Sequence, residues 1–199
     1  MKLICGTLVL ALVIGSLAGG RLSNLGGLRL RWGPLALVGF AMQLVNPPGR
    51  WPLVMLLGSF VLLTAFAIAN LRLPGFALIL AGVVMNFAVI AANGGMPVSR
   101  EALIASGQAD TLAGLLDDAD RYVKHHLASP DDRLLFLADV IPLPAPIAQV
   151  ISVGDVFTYG GVGVVLVAGM RRGKGVRADA ETEPEPDARE LEEGLDVRG

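Results

Sequence analysis

Two long apolar stretches dominate this sequence, PLVMLLGSFVLLTAFAIANL at residues 52–71 and PGFALILAGVVMNFAVIAA at residues 74–92. They hold 20 and 19 residues without a charged side chain, and only two residues separate them. Because about 20 apolar residues cross the hydrocarbon core of a bilayer as a helix, each stretch predicts one membrane span. A proline opens each stretch and suits the first turn of a helix, so we expect the spans to begin at Pro52 and Pro74.

Three further segments extend this pattern to about five spans. Residues 3–19 carry no charge and predict an uncleaved first helix, although they also resemble a signal peptide. Residues 34–45 form a short second candidate, which would lengthen if its helix extended back through Trp32. If this candidate does not span, the count becomes four and both termini lie on one side. Residues 147–170 form the last span, and residues 134–146 predict a half-length segment that enters the interface and breaks at three prolines.

Composition and charge agree with this fold class, an all-α polytopic membrane protein. Of the 199 residues, 53% are hydrophobic and 17% are charged, and the mean hydropathy is +0.61, whereas soluble domains carry about 25% charged residues. Residues 1–99 contain six basic and no acidic residues, while residues 171–199 contain six basic and nine acidic ones. This pattern excludes a nucleic-acid binder and an ordinary cytosolic enzyme, and it predicts a disordered acidic tail at 171–199.

The distribution of basic residues predicts the orientation in the plasma membrane. With five spans and an outer N-terminus, eight basic residues lie on the cytoplasmic side and six outside, which favours a cytoplasmic C-terminus. The predicted organisation is four spans in residues 1–95, an extracytoplasmic loop at 96–133, the broken segment with the last span at 134–170, and the tail. Within the loop we expect a short helix capped by Ser99 and an amphipathic helix from Asp110 to about residue 124.

Two aspartates in apolar surroundings are the candidate catalytic residues. Asp139 lies in LLFLADVIP, and Asp155 lies about 12 Å along the last span. A charge inside the bilayer is costly, so a buried acid needs a reason. Two neighbouring acids would titrate as a coupled pair with the pKa of one raised, and such a pair can hold a proton, activate water or bind a cation. The alternative is structural, with each aspartate capping a helix end or binding broken backbone.

Candidate ligand-binding residues surround these aspartates. Ser152 lies three residues before the second aspartate, and Thr158 and Tyr159 lie three and four residues after it, all on the same helix face. Asn86 and Asn93 are seven residues apart on nearly one face of the fourth span, and Asn93 and Gly94 open the motif NGGMPVS at its outer end. A backbone-lined pocket at the outer interface is one interpretation. A helix terminator, in which glycine supplies a positive φ, is the other.

No metal or cofactor is predicted. On a helix the adjacent His125 and His126 would point about 100° apart, which makes a shared metal difficult and favours a solvated loop. The chain has no HExxH, GxSxG or phosphate-loop motif and no zinc-type Cys/His spacing, and its single cysteine is Cys5. The expected partners are membrane lipid and possible membrane-protein partners or peptides, and no nucleic acid.

Three blocks together, NGGMPVS, KHHLASPDDRLLFLADVIPLP and ISVGDVFTYGGVGVVL, resemble an uncharacterised bacterial family of small multi-pass membrane proteins, a domain of unknown function. That resemblance implies no activity. A weaker similarity in pattern is to lipoprotein signal peptidases, which are four-helix membrane aspartyl proteases. By that similarity Asn93, Gly94 and Ser99 match the Asn-Gly block, and Asp139 and Asp155 stand for the catalytic pair. Those enzymes place two helices between the block and the aspartates, where this chain has a polar loop.

Four functions follow as hypotheses. The first is a membrane protein of unknown activity whose outer polar site, lined by Asp139, Asp155 and Asn93, binds a lipid head group, a peptide or an ion. The second is an intramembrane aspartyl hydrolase, with one aspartate as base and the other as acid. The third is an ion-coupled carrier with its ion site at Asp155, and the fourth is a scaffold subunit without a site. The separation of the two carboxylates distinguishes them best.

Overall fold

A bundle of apolar helices with a small polar cap at one end makes up the computed structural model, which describes residues 2–117 and 124–172. In chain order the elements are α1 (Lys2–Leu17), a 3-10 turn (Leu22–Gly27), α2 (Gly33–Leu44), α3 (Trp51–Ala69), α4 (Phe76–Asn93), β1 (Met96–Val98), α5 (Arg100–Ala105), α6 (Ala109–Asp117), β2 (His125–Leu127), a second 3-10 turn (Leu135–Leu137), β3 (Ile141–Leu143), β4 (Gln149–Ile151) and α7 (Val153–Arg171). The predicted disordered tail, from residue 173 onward, lies outside the described residues.

Three helices of the described chain, α3, α4 and α7, are long and apolar enough to cross a membrane. Helices α1 and α2 are apolar but shorter, at 16 and 12 residues, so only three of the five predicted spans reach full length. The expected extension of α2 through Trp32 is wrong, because this residue has a left-handed φ of 57° and the helix starts at Gly33. Twelve residues rise about 18 Å, against a hydrocarbon core of about 30 Å.

The two strongest apolar stretches form helices close to their predicted bounds. Helix α3 begins at Trp51 and carries Pro52 in its first turn, in agreement with the prediction. The prediction for Pro74 is wrong, since α4 begins two residues later at Phe76. Between them, Gly75 adopts a left-handed φ of 92° and packs against the backbone of α7. The turn therefore stops the helix from starting at the proline.

Helices α4 and α7 pack closely in antiparallel directions. Gly82 faces Gly154, and Gly75 faces Gly161, so that a Cβ at any of these positions would overlap the opposite backbone or its side chains. Helix α1 runs parallel to α7, from the backbone N–H of Leu3, which donates to Gln149 Oε1 at 3.1 Å, to Gly15 beside Met170. The main core lies between α3 and α4 and includes Leu56, Phe60, Leu63, Val83, Val89 and Ile90.

The polar cap contains short strands, which corrects the all-α prediction. Strand β1 pairs with β2 in parallel, and β3 pairs with β4 as an antiparallel hairpin. The predicted half-length segment is therefore a 3-10 turn followed by β3, because proline prevents a regular helix there. The start of the predicted last span is wrong as well, since residues 149–151 form β4 and α7 begins only at Val153. A second core cluster of Val98, Leu103 and Leu115 supports the cap.

The two helices expected in the loop are present as α5 and α6. Ser99 caps α5 as predicted, accepting a hydrogen bond from the backbone N–H of Ala102 at 3.2 Å. Helix α6 starts at Ala109, which places Asp110 inside its first turn rather than at the cap. The predicted continuation at 118–123 lies outside the described residues. Lys124 ties the cap to the bundle by donating to the carbonyls of Gln43 and Val45 at 2.6 and 3.1 Å.

Candidate functional site

Asp155 lies in the first turn of α7, where the chain passes from the cap into the bundle. Its backbone N–H donates to Ser152 Oγ at 2.9 Å, and the backbone N–H of Ser152 donates to Asp155 Oδ2 at 3.3 Å. This reciprocal capping box satisfies two backbone donors that the first helical turn would otherwise leave unpaired. The expectation that Asp155 lies about 12 Å inside a helix is therefore wrong, because Ser152 starts the helix three residues earlier.

Asn86 of α4 connects this helix start to the bundle. Its Nδ2 donates to Asp155 Oδ1 at 2.8 Å, and its Oδ1 accepts from Ser152 Oγ at 2.8 Å. Both carboxylate oxygens of Asp155 thus have protein partners. The contact requires glycine at position 154, since a Cβ there would overlap Asn86 Oδ1. For Asp155 this geometry matches the structural interpretation, in which the aspartate caps a helix end.

A cavity of about 220 Å³, here named the bundle cavity, brings four of the sequence-predicted residues together. Its polar lining consists of Gln43, Asn86, Asp155, Thr158 and Tyr159. The Thr158 hydroxyl donates to the carbonyl of Gly154 in its own helix at 2.9 Å, so it stabilises α7 as well as facing the cavity. Sequence reasoning missed Gln43, and it identified Ser152 as a neighbour of Asp155 without its role as the helix cap. The spacing Ser152-x-x-Asp155 is a capping signal that could have identified this role.

Asp139 lies in the cap and is held by the backbone of β1. Its N–H donates to the carbonyl of Pro97 at 3.0 Å, and its carbonyl accepts from the N–H of Ser99 at 2.9 Å. These two bonds fix the position from which the side chain projects. The residue is only 9% exposed, and its Oδ1 is buried with no hydrogen-bond partner among the described residues. Buried polar atoms are nearly always paired, so this oxygen is unusual.

Asp139 lines a second cavity, here named the cap cavity, with a volume of about 250 Å³. The other polar residues of its lining are Gln108, Thr111, His125 and Gln149. The apolar part of the lining comes from the cap core, including Val98, Leu103 and Leu115. Residues with amide, hydroxyl and imidazole groups therefore line the same space as Asp139, an arrangement suited to a small polar ligand.

Burial raises the pKa of Asp139 well above its usual range, and the charge of Asp155 raises it further. The two aspartates therefore lie close enough for the charge of one to act on the pKa of the other. They nevertheless line different cavities, Asp139 the cap cavity and Asp155 the bundle cavity. A neutral Asp139 can donate as well as accept a hydrogen bond, whereas its ionised form would attract a cation.

Asn93 and Gly94, the other two residues predicted for the site, end helix α4 and lie outside both cavities. The Asn93 side chain donates to the carbonyls of Val89 and Arg133 at 2.9 and 2.8 Å and accepts from the N–H of Arg133 at 2.8 Å. Gly94 follows with a left-handed φ of 69° and ends α4. The structure thus joins Asn93 to the chain before Asp139, but it does not bring Asn93 or Gly94 into either cavity.

The two histidines belong to strand β2 rather than to a loop. His126 Nε2 lies 3.0 Å from Asp132 Oδ1, and the backbone N–H of Ser129 donates to Asp132 Oδ2 at 2.8 Å. His125, in contrast, lines the cap cavity. His125 is exposed and His126 is half-exposed, so the pair is solvated as expected, but it lies in a strand and not in a loop. The histidines lie in a strand because β2 pairs in parallel with β1, whose residues come almost thirty positions earlier in the chain.

Comparison with known proteins places the chain among relatives that have no assigned activity. A Thermotoga maritima protein, described as an uncharacterized protein, is 35% identical over 131 residues, which are 64% of this chain and 71% of the relative. No solved structure matches the chain. Residues 28–167, well over half of the chain, match the family of unknown function DUF5317, and the chain belongs to that family.

Proposed function

We propose that this chain is a multi-pass protein of the plasma membrane whose outer polar cap binds a small amine-bearing ligand at Asp139. The observation that carries the proposal is the buried Oδ1 of Asp139, which has no partner among the described residues and belongs to a side chain that lines a cavity with polar walls. Leaving such an atom unpaired costs about 1–3 kcal/mol, more for a charged group. A ligand that donates a hydrogen bond there would recover that free energy.

The membrane location is supported by the three long apolar helices and by the charges at the two ends of the bundle. The end opposite the cap carries six arginines and, among the described residues, no aspartate or glutamate: Arg21, Arg29, Arg31, Arg72, Arg171 and Arg172. Basic residues concentrate on the cytoplasmic side of membrane proteins, and this rule supports an outer location for the cap. Helices α1 and α2 complete five crossings if the bilayer thins or the bundle tilts around them.

The chemistry of the cap cavity favours an ammonium group. A cation beside Asp139 would favour the ionised carboxylate, offsetting the burial and the repulsion from Asp155 that now raise its pKa. The side-chain oxygens of Gln108 and Thr111 provide further acceptors for an amine with several N–H groups, whereas that of Gln149 already accepts from Leu3. A volume of about 250 Å³ lies below the usual range for drug-sized ligands, so we expect a head group or a small free amine.

Ethanolamine and phosphatidylethanolamine are the two probes that test this site. The purified protein in detergent is titrated with ethanolamine by calorimetry, and the protein in nanodiscs is compared with and without phosphatidylethanolamine. Asp139→Asn should weaken binding about tenfold or more, because a charge-assisted bond is lost. Asp131→Asn, which makes the same change on an exposed side chain of the same segment, should bind as wild type. Equal binding by Asp139→Asn and wild type would refute the site. A response to the lipid alone would identify a head group.

An intramembrane aspartyl hydrolase is the second candidate function. The observation in its favour is that the charge of Asp155 raises the pKa of Asp139, as expected for an acid–base pair. The engagement of both Asp155 oxygens by Ser152 and Asn86 counts against it. Cleavage of a co-expressed prelipoprotein would test it, since a hydrolase should lose activity in both Asp139→Asn and Asp155→Asn. The described residues offer no specific support for a carrier or a scaffold subunit.

A further inference from the structure

The second half of α7 is only partly covered, since Val164 is 41% exposed. Gly75, which precedes α4, packs against Gly161 and Val165, so the last six residues of α7 extend beyond the start of α4. There α7 is covered by α1 and by the 3-10 turn, with Gly15 beside Met170 and Leu25 beside Gly169. One side of this α1–α7 pair stays open and forms a groove.

This groove has a volume of about 630 Å³ and an almost wholly apolar lining along α1 and α7. Leu10 and Ile14 are among the exposed apolar side chains on the α1 side, and Val164 is exposed on the α7 side. From Tyr159 to Arg171 the lining spans thirteen residues, whose first and last Cα atoms are separated by a rise of about 18 Å. That length is close to the depth of one leaflet of a bilayer, whose full core is about 30 Å thick.

The end of the groove away from the cap is positively charged. Arg171 lines the groove, Arg172 follows it, and the backbone N–H of Arg21 donates to the carbonyl of Met170 at 2.9 Å. The side chain of Asn24 donates to the same carbonyl at 2.6 Å, so this last-turn oxygen of α7 is already paired. As noted above, the described chain has no acidic residue at this end. An occupant therefore meets apolar walls along the helices and a guanidinium at the terminus.

We propose that this groove binds one acyl chain of an anionic phospholipid, with the lipid phosphate at Arg171. A guanidinium pairs well with a phosphate, and a basic residue at the cytoplasmic surface attracts anionic lipid. The inference rests on the proposed membrane location and is independent of the ligand at Asp139. Tyr159 lines both this groove and the bundle cavity, so the lipid chain would end beside the Asn86–Asp155 pair.

Native mass spectrometry of protein released from nanodiscs of phosphatidylglycerol and phosphatidylcholine, with matched acyl chains, tests the proposal. Wild type should retain phosphatidylglycerol preferentially, and Arg171→Gln should reduce this preference about fivefold, the effect of one basic residue near an anionic surface. Arg72→Gln, which removes an arginine at the same end but outside the groove, is the matched control. Gly160→Leu should reduce retention of both lipids, because it fills the groove at a position where a Cβ meets no atom within 4 Å.

Three outcomes would overturn the inference. Equal retention of the two lipids by wild type is the first, and equal effects of Arg171→Gln and Arg72→Gln are the second. A dimer that Gly160→Leu dissociates would be the third, since it would make a second copy of the chain the occupant. Flotation with vesicles separates this test from the proposed function. A chain that floats without lipid preference contradicts only the groove, whereas a chain that does not float contradicts the membrane location.

Discussion

Asn86 on α4 and Asp155 on α7, 69 residues apart in the chain, are joined by a 2.8 Å hydrogen bond from Nδ2 to Oδ1. The same amide accepts from Ser152, so one side chain binds both halves of the capping box that starts α7. This network lies where the cap meets the bundle. It fixes the start of the last long helix relative to α4, and with it the hairpin that follows Asp139.

Asn86→Ala should lower the free energy of unfolding in detergent by about 1–3 kcal/mol, because Ser152 and Asp155 each lose a buried partner. Equilibrium unfolding followed by circular dichroism measures the change. Asn46→Ala, an exposed asparagine in the connection after α2, should have almost no effect. A stability equal to wild type in Asn86→Ala would show that the network does not hold the two helices together.

Gly154→Ala and Gly160→Ala should have opposite effects within one helix. At position 154 the new methyl group would overlap Asn86, which we expect to cost about 1–3 kcal/mol. At position 160 a Cβ meets nothing within 4 Å, and alanine should stabilise the helix by about 0.5–1 kcal/mol. The same unfolding assay compares the two variants. Similar stabilities would contradict the close packing of α4 and α7.

Asp139→Asn should make the stability of the protein less dependent on pH. The pKa of Asp139 is raised in the folded state, by burial first and by the charge of Asp155 second, so its contribution is fully present below the unfolded pKa of about 4. This stabilising contribution is lost as the pH rises from the unfolded pKa to the raised pKa of the folded state. The variant should therefore be more stable than wild type at about pH 8, with the difference vanishing toward about pH 4.

Unfolding curves measured across this pH range check the prediction, with Asp131→Asn as the control. The control removes a carboxylate that is exposed, so its curve should run parallel to that of wild type. His125 and Asp155 also lie near Asp139, and both are present in all three proteins. A difference between Asp139→Asn and wild type that stays constant with pH would refute the prediction.

Labelling with a membrane-impermeant maleimide should report the cap as outside and the α3–α4 turn as inside. The two reporters are Asp131→Cys and Arg72→Cys, each at an exposed position and each in a Cys5→Ser background. In intact cells the first should react and the second should react only after permeabilisation. The reverse pattern would invert the proposed orientation while leaving the fold unchanged.

Hydropathy alone locates α3 and α4 within about two residues, because long uninterrupted apolar runs leave few alternatives. Local signals also suffice for Ser99 at the start of α5 and for Gly94 at the end of α4. The sequence does not predict the β3–β4 hairpin, because periodicity cannot distinguish a three-residue apolar strand from part of a broken helix. The apolar character of residues 147–152 then makes the last helix look longer than it is.

The sequence predicts the candidate site only in part, because some of its contacts join distant parts of the chain. Grouping Asn86, Asp155, Thr158 and Tyr159 needed only helix periodicity and a shared outer end. The assignment of Asp139 to a different cavity depends on its pairing with Pro97 and Ser99, some forty residues earlier. Long-range backbone pairing of this kind leaves no pattern within a short window. Contacts between distant parts of the chain also bring three more residues into the cap cavity, and no local sequence pattern predicts them: Gln108, Thr111 and Gln149.

The bond from Lys124 to the end of α2 has a consequence for biosynthesis. Helix α2 leaves the ribosome about eighty residues before the lysine that binds its last carbonyls, those of Gln43 and Val45. During that interval these oxygens must be hydrated by water or lipid head groups, because the helix end offers them no partner of its own. Helix α2 is thus completed only when the cap has been synthesised and folded, and a chain truncated before residue 124 would insert α2 without that anchor.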